Sequence, residues 1–128
     1  MPTEHKINII KDTVKRFEKS KGIYFTNYTG IDVQTITNLR KSFRESNVEY
    51  VVTKNTLTKR AAKEAGYENL DDILTGQVGI AFSEDGTAPA KIIKQFKKEN
   101  EDLLDILGLI FDGELYPSNK YIEFANLP

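Results

Sequence analysis

The chain has no cysteine, a single histidine (His5), only four prolines in 128 residues and no long apolar run. Without cysteine there can be no disulfide framework, zinc ribbon, thiolate nucleophile or iron–sulfur cluster. A lone histidine near the N-terminus leaves no His-rich metal site and argues against a histidine-based triad. The longest apolar stretch, Ile106 to Phe111 with Gly108 inside it, falls far short of the ~20 residues of a membrane helix. The first twenty residues carry charges throughout, so no secretory signal is visible and a cytoplasmic location is expected. None of the eight glycines falls in a GxGxxG or GxxxxGK[ST] pattern, which leaves nucleotide hydrolysis and dinucleotide binding without support. No metal, cofactor or membrane is expected.

What is present is ordinary in amount and uneven in arrangement. The length fits one domain, residues 1–128, able to bury roughly two-thirds of its unfolded surface. Hydrophobic residues make up 39% and charged residues 29%, a soluble globular composition. The net charge of −1 divides into +6 over residues 1–66 and −7 over residues 67–128. That split suggests one basic face for a polyanion such as nucleic acid. A mixed solvated surface whose charges sort by sequence half is the plainer alternative.

Periodicity predicts alternating helices and strands. Ile7, Ile10, Val14 and Phe17 stand at helical spacing between Thr3 and Lys21, with Gly22 at the expected C-cap. Ile23 to Tyr28 reads as a strand, broken by Thr29-Gly30. Asp32 can cap a second helix with Val33, Ile36, Leu39 and Phe43 inward. Val48 to Thr53 is a second strand, and a third helix opens near Asn55 or Thr56 and closes at Gly66. Val78 to Phe82 is a third strand, and Pro89 suits the first turn of a fourth helix that runs to about Lys98. Leu103 to Phe111 looks like a strand covered on both faces, joined through Asp112-Gly113 to a hairpin partner at Glu114 to Tyr116. A short helix follows Pro117-Ser118 and runs out at Pro128. The order β-α-β, helix, β-α-β is that of the split βαβ or ferredoxin-like plait. The expected class is therefore α+β: a mixed or antiparallel sheet, four-stranded at its core, with both crossover helices on one face and further helices flanking it. An open parallel α/β sheet is the alternative, which the Asp-Gly hairpin disfavours.

Catalytic groups are scarce. Asp71-Asp72, and Asp102 with Asp105, are the acid pairs, and adjacent acids in a turn or at a strand entry are ordinarily solvated. No enzyme is expected and no catalytic residue is assigned. The informative stretch is Arg40 to Lys63, with Arg40, Lys41, Arg44, Lys54, Lys59, Arg60 and Lys63 against only Glu45 and Glu49. Arg40 and Arg44 are four apart, so both emerge on one side of their helix. Lys54, Asn55 and Thr56 stand where the second strand passes into the third helix, and a helix start offers unpaired N–H groups to a phosphate. Lysine and arginine can neutralise phosphates while the Asn amide and Thr hydroxyl add hydrogen bonds. The bland reading is a helix capped by Asn55 with a solvated basic face behind it.

Three successions in this chain closely resemble the large-subunit ribosomal protein ten family: Tyr28-Thr29-Gly30, Leu39-Arg40 through Arg44, and Val52-Thr53-Lys54-Asn55-Thr56-Leu57 with Arg60-Ala61. The resemblance continues through Gly76-Gln77-Val78-Gly79-Ile80-Ala81-Phe82, Ala88-Pro89-Ala90, Phe111-Asp112-Gly113 and Ala125-Asn126-Leu127-Pro128. It implies a plait-like domain that binds large-subunit ribosomal RNA beside ribosomal protein eleven and anchors the base of the ribosomal stalk, where translation factors are recruited. By position, Lys54, Asn55, Thr56 and Arg60 match the family's basic cluster, with Arg40 on the preceding helix; Arg44 and Lys59 join them from charge and spacing. In the family a C-terminal helix carries dimers of the acidic stalk protein. This chain stops before such a helix, so those dimers are expected partners only of a longer form. Other functions consistent with the residues are a ribosome-assembly factor sharing the domain and RNA site, a small-molecule-sensing regulatory plait, and an interaction module using the acidic second half with Tyr116, Tyr121 and Phe124.

Overall fold

A computed structural model describes residues 3–100 and 103–127. Asp102 and the terminal Pro128 therefore lie outside the described residues. The elements follow in the order α1 (Glu4–Lys19), β1 (Gly22–Asn27), α2 (Val33–Glu45), β2 (Glu49–Val52), α3 (Asn55–Glu64), β3 (Val78–Ser83), α4 (Ala88–Glu99), β4 (Asp105–Phe111), β5 (Glu114–Tyr116) and α5 (Tyr121–Ala125). A single 3-10 turn over Ser118–Lys120 leads into α5.

Local chemistry explains the boundaries. The Thr3 hydroxyl accepts from the Lys6 N–H at 3.3 Å, and the Asp32 carboxylate accepts from the Thr35 N–H at 2.7 Å, so α1 and α2 both start on side-chain caps. That backbone donor also holds the Asp32 carboxyl below the usual carboxylate range. At the end of α2, Asn47 takes φ 60°, and Val48 N–H reaches back to the Phe43 carbonyl at 2.8 Å. Gly66 closes α3 the same way, at φ 96°, with Tyr67 N–H on the Ala62 carbonyl. Asp112 and Gly113 both have positive φ, as a two-residue hairpin between β4 and β5 requires.

The sheet order is β2-β3-β1-β4-β5 with every neighbouring pair antiparallel. Its first four strands have the order of the split βαβ plait: β1-α2-β2 straddles β3, and β3-α4-β4 straddles β1. This excludes the open parallel alternative.

Two features differ from the sequence-based expectation. The sheet is covered on both faces instead of one. Successive side chains along a strand point to opposite faces, and both sets are buried on the central strands. Tyr24 and Ala81 pack with Leu39, Phe43, Ile93 and Phe96 of α2 and α4. Ile23, Phe25, Ile80 and Phe82 pack with Ile10 and Phe17 of α1 and Ala61 and Ala62 of α3. α1 and α3, outside the two crossover units, thus build a second core. Gly22, moreover, is not a helix C-cap. Ser20 fills that place, while Gly22 lies in β1 against Gly86, where a Cβ would come within 2.6 Å of the Gly86 carbonyl oxygen. Glycine is needed there for close backbone approach, not for its φ.

α1 is tied to the outer strand by charge. Arg16 Nε lies 2.8 Å and Lys19 Nζ 3.4 Å from the carboxylate of Glu49 on β2. The hydrogen bond from Arg16 is the main reason the Glu49 carboxyl sits below its usual range. A depressed carboxyl stabilises the fold above its unfolded pKa, and that contribution disappears as pH falls through the folded value. The pair is half exposed, so its worth is about 0.2–1 kcal/mol. Glu49→Gln should therefore unfold slightly more easily than the parent at pH 7. The gap should close as the pH is lowered from about 5 to 3; denaturant midpoints measured across that range check it, and a gap independent of pH would mean the ion pair contributes nothing.

Candidate nucleic-acid interface

Three chain segments converge at one end of the sheet. β1 and β2 run in the same direction with the oppositely directed β3 between them, so the exits of β1 and β2 meet the entry of β3. After β1, the Asn27 side chain accepts from the Thr29 N–H at 2.8 Å, Ile31 N–H closes on the Tyr28 carbonyl, and Gly30 takes φ 85°. Tyr28 N–H donates to the Gln77 carbonyl at 3.2 Å, and Asn55 Nδ2 to the Gly76 carbonyl at 2.9 Å. Together they line a depression of about 290 Å³, walled by Tyr28, Thr53, Lys54, Asn55, Gly76 and Gln77.

Lys54 and Thr56 are exposed at this end, and Lys54 forms no ion pair among the described residues. Lys54 is the N-cap residue of α3, and no side chain caps the helix. Asn55 is thus not a cap, as the bland reading of the sequence would have it. Its amide faces Gly76 and clamps the start of α3 to the entry of β3. Asn55→Ala should cost about 0.5–1.5 kcal/mol of stability for that bond, whatever it does to a ligand. A thermal melt run beside every binding measurement separates the two effects, and an unchanged melting temperature would show the clamp to be idle. The uncapped first turn of α3 leaves backbone donors beside a lysine head, an arrangement suited to an anion.

The other expected residues are placed differently. Lys59 Nζ lies 3.9 Å from Asp71, and Arg60 Nε lies 3.9 Å from Glu64. Both line a separate depression farther along α3, with Lys63, Tyr67 and Asn69. Arg40 and Arg44 are exposed on α2, whose layer lies on the other face of the sheet from α3. Arg40 is held in place: its guanidinium lies 5.7 Å from the centre of the Tyr50 ring, which stacks on Phe43 and sets its hydroxyl 2.7 Å from Thr26 Oγ1. Burial pushes the Tyr50 phenol up to about 12. Gly79 makes this possible, since a Cβ there would fall on the Tyr50 ring and hydroxyl. The structure therefore brings Lys54, Asn55 and Thr56 together, keeps Arg40 near the same outer strand on the opposite face, and sets Lys59 and Arg60 apart. Tyr28, Thr53 and Gln77 join the depression without having been singled out as site residues. Tyr28 and Gln77 do stand in the Tyr-Thr-Gly and Gly-Gln-Val-Gly successions, whose meaning emerges only when the loops are seen to meet.

Among the described residues no group of three or more His, Asp or Glu side chains could hold a metal ion, and no helix is long and apolar enough to cross a membrane. Asp71, one of the acids considered for catalysis, is exposed and paired with Lys59. Comparison with known proteins agrees with the motifs. The family model described as ribosomal protein L10 matches residues 1–98. The large ribosomal subunit protein uL10 of Clostridium tetani is 42% identical over 126 residues, which span 98% of this chain and 71% of that protein. The uL10 of Clostridioides difficile is 39% identical over 127 residues (98% and 75%), and that of Staphylococcus carnosus 40% over 126 residues (98% and 75%). With these motifs meeting at one end of a plait, and this identity over nearly its whole length, the chain belongs to the ribosomal protein L10 family.

Proposed function

We propose that the protein is a structural component of the large ribosomal subunit, with residues 1–128 acting as one RNA-binding domain that grips large-subunit ribosomal RNA and anchors the base of the stalk. The observation that carries this reading is the sheet end, where Lys54 and Thr56 flank an uncapped helix start and Asn55 locks it to the β3 entry. Arg40 on its Tyr50 support supplies a second cation beside the same outer strand, with Arg44 one turn on; Lys59 and Arg60 form the periphery. Ribosomal protein eleven is the expected neighbour, and acidic stalk dimers are partners only if a longer C-terminal extension exists. The work is done at the ribosome in the cytoplasm, and it is binding, not turnover.

The donors are spread over several elements and include no aromatic pair of the kind that stacks successive bases, which favours recognition of a folded RNA by shape and backbone. Binding of purified protein to a large-subunit RNA fragment should weaken log-linearly with salt. It should also exceed binding to a scrambled RNA of equal length; equal affinity for the two would refute the reading.

A further inference from the structure

A second concavity opens beside the first. Between the N-terminal half of α1 and the outer strand β2 runs a cleft of about 480 Å³, within the range of about 300–1,000 Å³ that holds a small organic group. Its floor is apolar, made by Ile9, Val51 and Leu57. One end is shut where Arg16 is bound to Glu49. The other end opens towards Lys54, because Val52, Thr53 and Lys54 line both this cleft and the sheet-end depression. The rim carries His5 and Lys6, both exposed, and the one acid on the lining is Asp12.

We propose that this cleft receives one unstacked base of the bound RNA. The inference rests on the reading of the sheet end as an RNA interface and names what lies next to it. An apolar floor takes the flat of a base, and imidazole and guanidinium planes are surfaces on which splayed RNA bases stack. His5 and Arg16 supply one of each, and the Glu49 carboxylate fixes the guanidinium. Lys6 and Lys54, both on the lining, are the cations available to the flanking phosphates. β2 is the outermost strand of the sheet, so backbone groups on its open edge can hydrogen-bond the edge of the base. The alternative occupant is an acidic peptide added as a further strand on β2. It would pair along β2, which is only four residues long, and so short an edge is a poor template for an added strand.

The test uses the full chain, a large-subunit ribosomal RNA fragment, and chemical probing of base accessibility at single-nucleotide resolution. His5 and Lys6 are exposed, so His5→Ala and Lys6→Gln should melt like the parent. His5→Ala should lower affinity about five- to tenfold and leave one base reactive that the parent protects, with the rest of the footprint unchanged. Lys6→Gln should reduce the salt slope by about one phosphate. If both variants bind with the parent's affinity and footprint while Lys54→Ala weakens binding, the cleft proposal falls and the sheet-end interface stands. If Lys54→Ala is neutral as well, both fall together. An unchanged RNA footprint combined with lost retention of an acidic protein would give the cleft to a peptide and equally overturn the proposal.

Discussion

Phe17→Ala should cost about 3–5 kcal/mol, the usual range for emptying a phenylalanine site in a closed core. The ring is 1% exposed and meets Phe82 edge-on at 5.2 Å, Tyr67 at 5.7 Å and Phe25 at 6.4 Å. It therefore joins α1 to two central strands and to the segment after α3. Against a total stability of about 5–15 kcal/mol, this loss would be visible in any denaturant titration as a lower midpoint with an unchanged slope. The measurement bears on the architecture as well as on one residue. A plait with helices on one face only would treat α1 as an appendage, and Phe17→Ala would then cost less than about 1 kcal/mol, as at a surface site.

Lys54→Ala should weaken RNA binding about ten- to a hundredfold, since losing a charge-assisted hydrogen bond is worth about 1.5–3 kcal/mol. Its side chain is exposed and makes no hydrogen bond or ion pair among the described residues, so the variant should melt like the parent. The salt slope should drop by about one phosphate. Arg60→Ala is the informative partner. Arg60 lies in a different depression, 3.9 Å from Glu64, so its removal should change affinity only about twofold, the size of a peripheral charge effect. Equal losses for the two variants would extend the interface down α3. A loss at Arg60 alone would move it there.

Most of the element order was legible from periodicity and turn chemistry. Asp32 as a cap, Pro89 in a first helical turn, Gly66 as a helix end and Asp112-Gly113 as a hairpin are local decisions made by a few adjacent residues, and each is realised. Which face each helix covers is not local. The clue lies in the run Ile23-Tyr24-Phe25, apolar at every position, as a strand buried on both sides must be. Gly22 reads as a C-cap because a glycine after a helix can satisfy two needs, positive φ and close approach, and only the position of Gly86 tells them apart. Asn55 leaves two readings open in the sequence, a cap or a phosphate donor, and neither names the bond its amide makes to Gly76. The basic cluster was legible as charge, but its division was not. Residues close in sequence on α2 and α3 separate because the intervening β2 sends the chain from one face of the sheet to the other.

The strand order also has a consequence in time. β1 is made first, yet its neighbours are residues 78–83 and 105–111. At a synthesis rate of about 5–20 residues per second, Phe111 follows Asn27 by roughly 4–17 s. Until residues 78–83 are made, Ile23, Tyr24 and Phe25 are an apolar strand with two open edges, and one edge stays open until residues 105–111 follow, the kind of segment that pairs with the wrong chain. α1 has already been synthesised by then, and Phe17 against Phe25 is a contact β1 can make without waiting. α1 thus offers one face of the unfinished sheet a partner before either neighbouring strand exists.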